Sequence, residues 1–223
     1  MRVVTIDGPA GSGKTTVARR LADRLGWRLL DTGALYRAVT LAALRGGVDC
    51  GSEAALGELA GRLVVRIDRD RVWLDGEDVS AAIRTAEITR ASAPLADSPS
   101  VRACLVGWQR TFAAEHNTIA EGRDQGTIVF PDAFRKFYLT ADPAERARRR
   151  HAEFLARGEA VALDDVLRDI QARDARDAAR SIAPMKPADD ALIVDTTGLE
   201  PDRVVALVES TIRGDDASGR GDL

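Results

Sequence analysis

The chain has little of what most metal centres and nucleophilic sites are built from. Two cysteines, Cys50 and Cys104, cannot form a disulfide framework or a four-cysteine zinc site. Two histidines, His116 and His151, lie 35 residues apart and provide no His-rich metal cluster. No apolar run reaches the ~20 residues needed to span a bilayer. The opening MRVVTIDGPAG lacks a signal peptide's long apolar centre and cleavage site, so the expected compartment is the cytoplasm. Lysine is scarce: Lys14, Lys136 and Lys186 stand against 29 arginines. GC-rich coding accounts for most of that excess. Net charge is only −3, so the broad positive field of a nucleic-acid binder is missing, and neither nucleic acid nor membrane is an expected partner.

What is present is ordinary globular material. The 223 residues are 45% hydrophobic and 30% charged, enough for one or two domains. Short apolar runs at Arg2–Ile6, Arg28–Leu30, Thr118–Ala120, Lys136–Thr140 and Ala191–Asp195 read as strands. Helical patterns alternate with them. Val17, Ala18, Leu21, Ala22 and Leu25 form one, stopping at Gly26, and a second runs from about Gly33 to Arg45. Alternation of this kind predicts an α/β fold, a five-stranded parallel sheet flanked by helices.

The interval between the second and third strands departs from the pattern. Residues 63–79 hold apolar stretches and the hairpin signal Asp75-Gly76, so a small antiparallel insertion is expected over 61–99. Ser98-Pro99 opens a helix that aligns Val101, Cys104, Leu105, Trp108 and Phe112, with Arg102 and Gln109 off that stripe. Asp142-Pro143-Ala144-Glu145 is a second helix start. Over 142–180, nine arginines balance nine acidic residues, the signature of a solvated, ion-paired surface. A core of 1–60 and 100–213 is expected, with a short helical lid at about 147–170. Gly214–Leu223 reads as a disordered tail. The absence of a long heptad or spare apolar helix face points to a monomer.

The strongest chemical signal is Gly8-Pro9-Ala10-Gly11-Ser12-Gly13-Lys14-Thr15, a G-x-x-x-x-G-K-[ST] phosphate loop between a strand and a helix. Its glycines let backbone N–H groups wrap a phosphate, and the helix start adds partial positive charge. Lys14 reaches β- and γ-phosphate oxygens, and the Thr15 hydroxyl can ligate Mg²⁺. These residues, with Thr16, are the candidate ATP site. Glu121, ending the third strand, has two readings: holder of a magnesium-bound water, or structural carboxylate. The Asn-Lys-x-Asp of a GTPase is absent.

Asp31-Thr32-Gly33 and Gly122-Arg123-Asp124 follow strands at their carboxyl ends, where open α/β sheets bind ligands. Arg37, Arg102 and Arg123 are candidate clamps for a second phosphate, since the guanidinium fork matches phosphate oxygens. Arg173, Asp177 and Arg180 share one helix face. Spacing alone also allows a plain salt-bridge ladder, each exposed pair giving about 0.3–0.5 kcal/mol.

The chain resembles the bacterial cytidylate kinases, a family of P-loop nucleoside monophosphate kinases, over about residues 2–210. The resemblance rests on TIDGPAGSGKTT (5–16), LLDTGALYR (29–37), AEGRDQGTIVFPDA (120–133), RARRR (146–150) and RDARDAARSIAPMKPADDALIVDTTGL (173–199). It implies transfer of phosphate from ATP to CMP or dCMP with Mg²⁺. It implies phosphate-binding roles for Arg37, Arg123 and Arg180, cytosine contacts for Arg102 and Asp124, and a ribose contact for Asp177. Thr32 and Tyr36 then lie near the acceptor with Arg173, and Arg146, Arg149 or Arg150 reaches the ATP phosphates. Lys14, Arg123, Arg180 and Arg149 are the expected catalytic group. Two positions depart from the pattern: Gln125 replaces an apolar residue, and Ala93 stands where relatives often carry a serine, with Ser92 one residue earlier. Rival readings are a uridylate, adenylate or shikimate kinase, or an RNA-binding nucleotide switch using the arginine-rich helices.

Overall fold

A computed structural model of the chain describes residues 1–68 and 71–217. Its elements in order are β1 (Val3–Asp7), α1 (Lys14–Leu25), β2 (Arg28–Asp31), α2 (Thr32–Arg45), α3 (Glu53–Arg62), β3 (Val65–Asp68), β4 (Arg71–Leu74), β5 (Glu77–Asp78), α4 (Ala86–Asp97), α5 (Pro99–Glu115), β6 (Thr118–Gly122), β7 (Arg135–Thr140), α6 (Pro143–Ala156), α7 (Leu163–Ala179), β8 (Leu192–Asp195) and α8 (Pro201–Ala217). Five strands form the expected parallel sheet in the order β2-β6-β1-β7-β8, flanked by helices. Ile6 of β1 pairs with Phe137 of β7, and Phe137 in turn with Leu192 of β8. The order places β1, with the phosphate loop at its end, in the middle of the sheet.

Local chemistry explains the element ends. Gly13 (φ 89) and Gly26 (φ 67) bracket α1 in the left-handed conformation. The Asp31 carboxylate accepts the Ala34 N–H and starts α2; Ser98 accepts the Val101 N–H and starts α5; Asp142 accepts from Ala144 and Glu145 and starts α6.

The chain divides into two compact units, one of Arg28–Thr118 with Met1 and the other of Arg2–Trp27 with Ile119–Leu223. In the first unit lies the expected antiparallel insertion, a three-stranded sheet β3-β4-β5. Its β4–β5 turn is Asp75-Gly76, both at positive φ (50 and 88), as the hairpin signal predicts. Helices α3 and α4 of this unit are not legible in the sequence pattern. The helix α5 also differs from expectation. Its buried residues are Val101, Arg102, Leu105, Gln109 and Ala113, so the two polar residues placed off the stripe face inward. Cys104, Trp108 and Phe112 flank that face half-buried, with Trp108 stacked on Phe112 at 5.5 Å.

The second unit is centred on β1 and β7, where Val4, Ile6, Phe137 and Leu139 are almost fully buried. Helices α6 and α7 pack on each other through a small apolar cluster of Ala147, Val166 and Ile170, joined by Phe154, Val161 and Leu167. The helix α8 runs to Ala217, into the segment expected as a tail; the rest of that segment, 218–223, lies outside the described residues. No helix among the described residues is long and apolar enough to cross a membrane.

Phe137, 2% exposed on a central strand, is the largest fully buried side chain of the sheet. Phe137→Ala is expected to cost about 3–5 kcal/mol of unfolding free energy, read from a urea titration. A loss below ~1 kcal/mol contradicts this placement of the core.

Candidate functional site

The phosphate loop leaves β1 and turns into α1. Two of its glycines have no substitute. A Cβ on Gly8 (φ +142) would lie 2.0 Å from the Leu139 carbonyl oxygen, and one on Gly11 (φ +77) 2.9 Å from the Arg146 carbonyl oxygen. Arg146, at the first turn of α6, holds the loop from outside. Its Nη1 donates to the Ala10 carbonyl at 3.0 Å, its Nε to the Ala141 carbonyl at 3.0 Å, and it pairs with Asp174 of α7 at 2.6 Å. Of the three arginines expected at the start of the lid, Arg146 is therefore buried and engaged with backbone. Arg150 pairs with Glu153 and lies over the Phe154 ring. Arg149 is directed to the loop. It donates to the Thr196 hydroxyl and carbonyl at 3.0 and 2.6 Å, pairs with Glu145, and would lie 3.9 Å from a Cβ on Gly13. Thr196 had no signal in the sequence beyond its place after β8. Its hydroxyl lies 3.1 Å from the Ser12 carbonyl and 3.0 Å from that of Thr140.

Lys14 is buried, its Nζ donating to the Pro9 carbonyl at 2.6 Å. Burial pulls its pKa well below the usual lysine range, and the cationic Arg123 and Arg173 pull the same way; Glu121 and Asp7 oppose them. Thr15 Oγ1 donates to Glu121 Oε1 at 2.7 Å. That hydroxyl and carboxylate are hard oxygen donors side by side, the type Mg²⁺ prefers when most of its shell is phosphate and water. Among the described residues no group of three or more His, Cys, Asp or Glu could hold a metal alone.

The expected Arg–Asp–Arg stripe is centred on a buried carboxylate. Asp177 is 2% exposed. It accepts from Arg123 Nε at 3.0 Å and Arg180 Nη2 at 2.8 Å, and Arg173 Nε lies 3.9 Å away. Arg123, from the end of β6, also donates to the Gly122 carbonyl. Three guanidinium groups thus surround one carboxylate, with arginine charge felt at Lys14 as well. Asp124 is buried, and the Gln125 side chain beside it donates to Asp124 Oδ1 at 3.5 Å. The backbone then makes one π turn, Gln125–Val129, which sequence reasoning did not anticipate.

The remaining expected residues lie in the Arg28–Thr118 unit. Thr32 is buried at the start of α2. Arg37 lies 3.6 Å from Asp31, and Arg102 Nη1 of α5 donates to the Tyr36 hydroxyl at 3.2 Å. The structure thus brings Tyr36 and Arg102 together, which explains why Arg102 faces inward. Ser92 bonds the Thr89 carbonyl within α4, and Ala93 is half-buried beside it.

Comparison with known proteins identifies the family. The family model described as cytidylate kinase matches residues 4–214. A cytidylate kinase of Cupriavidus necator is 46% identical over 93% of this chain and 94% of its own length. One of Pseudomonas syringae pv. tomato is 47% identical over 97% of each. Among solved structures, an uncharacterized protein of Eubacterium ventriosum shares the fold at a TM-score of 0.54 and 12% identity, covering 96% of this chain and 99% of its own. By the extent and identity of these matches, the chain belongs to the cytidylate kinase family.

Proposed function

We propose that the chain transfers the γ-phosphoryl group of ATP to CMP or dCMP, giving ADP and CDP or dCDP. The observation that carries this reading is the set of Arg123, Arg173 and Arg180 around the single buried carboxylate of Asp177, two of which, Arg123 and Arg173, add to burial in lowering the Lys14 pKa. Such local excess of positive charge is complementary to polyphosphate and has no use in a neutral substrate site.

The acceptor phosphate oxygen is already anionic near neutral pH, so no general base is needed. Catalysis then consists of positioning and charge stabilisation. The phosphate-loop backbone and Lys14 hold the donor phosphates. Thr15, with Glu121 acting through water, would hold Mg²⁺, which supplies neutralisation of charge across the β- and γ-phosphates. Arg123, Arg180 and Arg149 stabilise charge on the transferring group. Arg37, with Arg123 and Arg180, takes the acceptor phosphate, Asp177 the ribose hydroxyls, and Arg102 and Asp124 the cytosine, with Thr32, Tyr36 and Arg173 beside them. In this reading 61–99 is the acceptor-binding insertion. The α6–α7 hairpin, with its own apolar cluster, supports a lid at about 147–170 that shuts out water, which would otherwise accept the phosphoryl group.

Two variants separate the donor and acceptor sides. Lys14→Ala is expected to lower kcat by about a hundredfold or more without unfolding the chain, since it removes a charge acting on the transferred phosphate. Arg180→Ala is expected to raise KM for CMP by about tenfold while KM for ATP stays nearly constant. Steady-state kinetics with each substrate varied reads both. Near-normal turnover in the first variant, or a KM effect on ATP alone in the second, contradicts the assignment.

A further inference from the structure

Asp7 is the last residue of β1, immediately before Gly8 of the phosphate loop, and is 4% exposed. Its two carboxylate oxygens each accept one backbone N–H: Oδ1 from Gln125 at 3.0 Å and Oδ2 from Gly126 at 2.8 Å. Those two amides open the π turn. The turn's own bonds run from Ile128 and Val129 to the Asp124 carbonyl and from Phe130 to the Gln125 carbonyl, leaving the first amides to an outside acceptor. Gly126 makes the approach possible, since a Cβ there would lie 2.9 Å from Thr5 Oγ1 of the same strand. Directly before the turn come Arg123, bonded to Asp177, and Asp124, bonded to the Gln125 side chain.

We propose that Asp7 is a positioning residue for the acceptor nucleotide: by fixing the Gln125–Gly126 backbone, its carboxylate sets the place of Arg123 and Asp124 beside the phosphate loop. The inference rests on the acceptor roles given to those two residues above. A carboxylate suits the task because both oxygens accept, whereas an amide of the same shape presents an N–H to one of the two donors. Protonation has a related effect, since the oxygen that gains the hydrogen becomes a poorer partner for its N–H. Burial pushes the Asp7 carboxyl up to about 6; the two N–H donors hold it down, and of the charged groups acting on it Asp124 raises it and Lys14 lowers it. The segment is therefore held by the ionised form, above that pH, and loosens as pH falls through it.

The test is Asp7→Asn, with the wild-type enzyme assayed in parallel on ATP and CMP. Loss of a charge-assisted bond predicts that KM for CMP rises by about tenfold or more. KM for ATP is expected to stay within about twofold, because the phosphate loop itself is untouched. Equal changes in both KM values, or none, overturn the proposal. A wild-type enzyme that does not phosphorylate CMP instead overturns the acceptor reading on which it rests. A second measurement on the wild type covers a variant that does not fold. The NMR shift of the Gly126 amide proton should titrate in step with the Asp7 carboxyl carbon, near pH 6. A Gly126 amide that ignores the Asp7 titration overturns the proposal.

Discussion

Asp177 gathers more positive charge than it neutralises. Arg123, Arg180 and Arg173 approach it from the end of β6 and from around the end of α7, yet it can balance only one of them. The same excess depresses Lys14, which burial already disfavours as a cation. Nothing in the packing of the sheet demands this crowding. In the proposed reaction the cluster would offer guanidinium donors to the oxygens of a polyanion.

Around that cluster, the unit devotes several buried polar contacts to holding backbone in place. Arg146 ties the Ala10 carbonyl to α6 and α7, Thr196 ties Arg149 to the loop, and Asp7 ties β1 to the turn after Asp124. The first two fix the phosphate loop against its neighbours, and the third fixes the turn that follows Asp124. Lys136 shows the contrasting use of a buried amine, bonding Asp190 and the Pro131 carbonyl with no part in the phosphate site. Of the two lysines with described bonds, Lys14 alone faces the loop.

What the sequence made legible was local. The phosphate loop, the Asp75-Gly76 turn and the caps at Ser98 and Asp142 each carry their signal within a few residues, and the structure bears them out. The helix α3 escaped because only Leu56 and Leu59 are buried in it, too few to show a period. The helix α4 escaped because Pro94 interrupts its pattern. Arg102 and Gln109 were placed on the wrong side of α5 because a polarity pattern assigns polar residues outward, whereas Arg102 is drawn in by the Tyr36 hydroxyl. The π turn has no sequence signature, and Asp7 is a single carboxylate whose partners are backbone amides 118 and 119 positions away. Residue roles at the acceptor came from resemblance to a family; their geometry came only with the fold.

The most direct measurement is ADP release from ATP with CMP, dCMP, UMP and AMP offered separately as acceptors. The proposed phosphorylation of cytosine nucleotides predicts acceptor-dependent release with CMP and dCMP, with kcat/KM at least about tenfold above UMP and AMP. Equal or faster turnover with AMP or UMP, or release that does not depend on an acceptor, would contradict it.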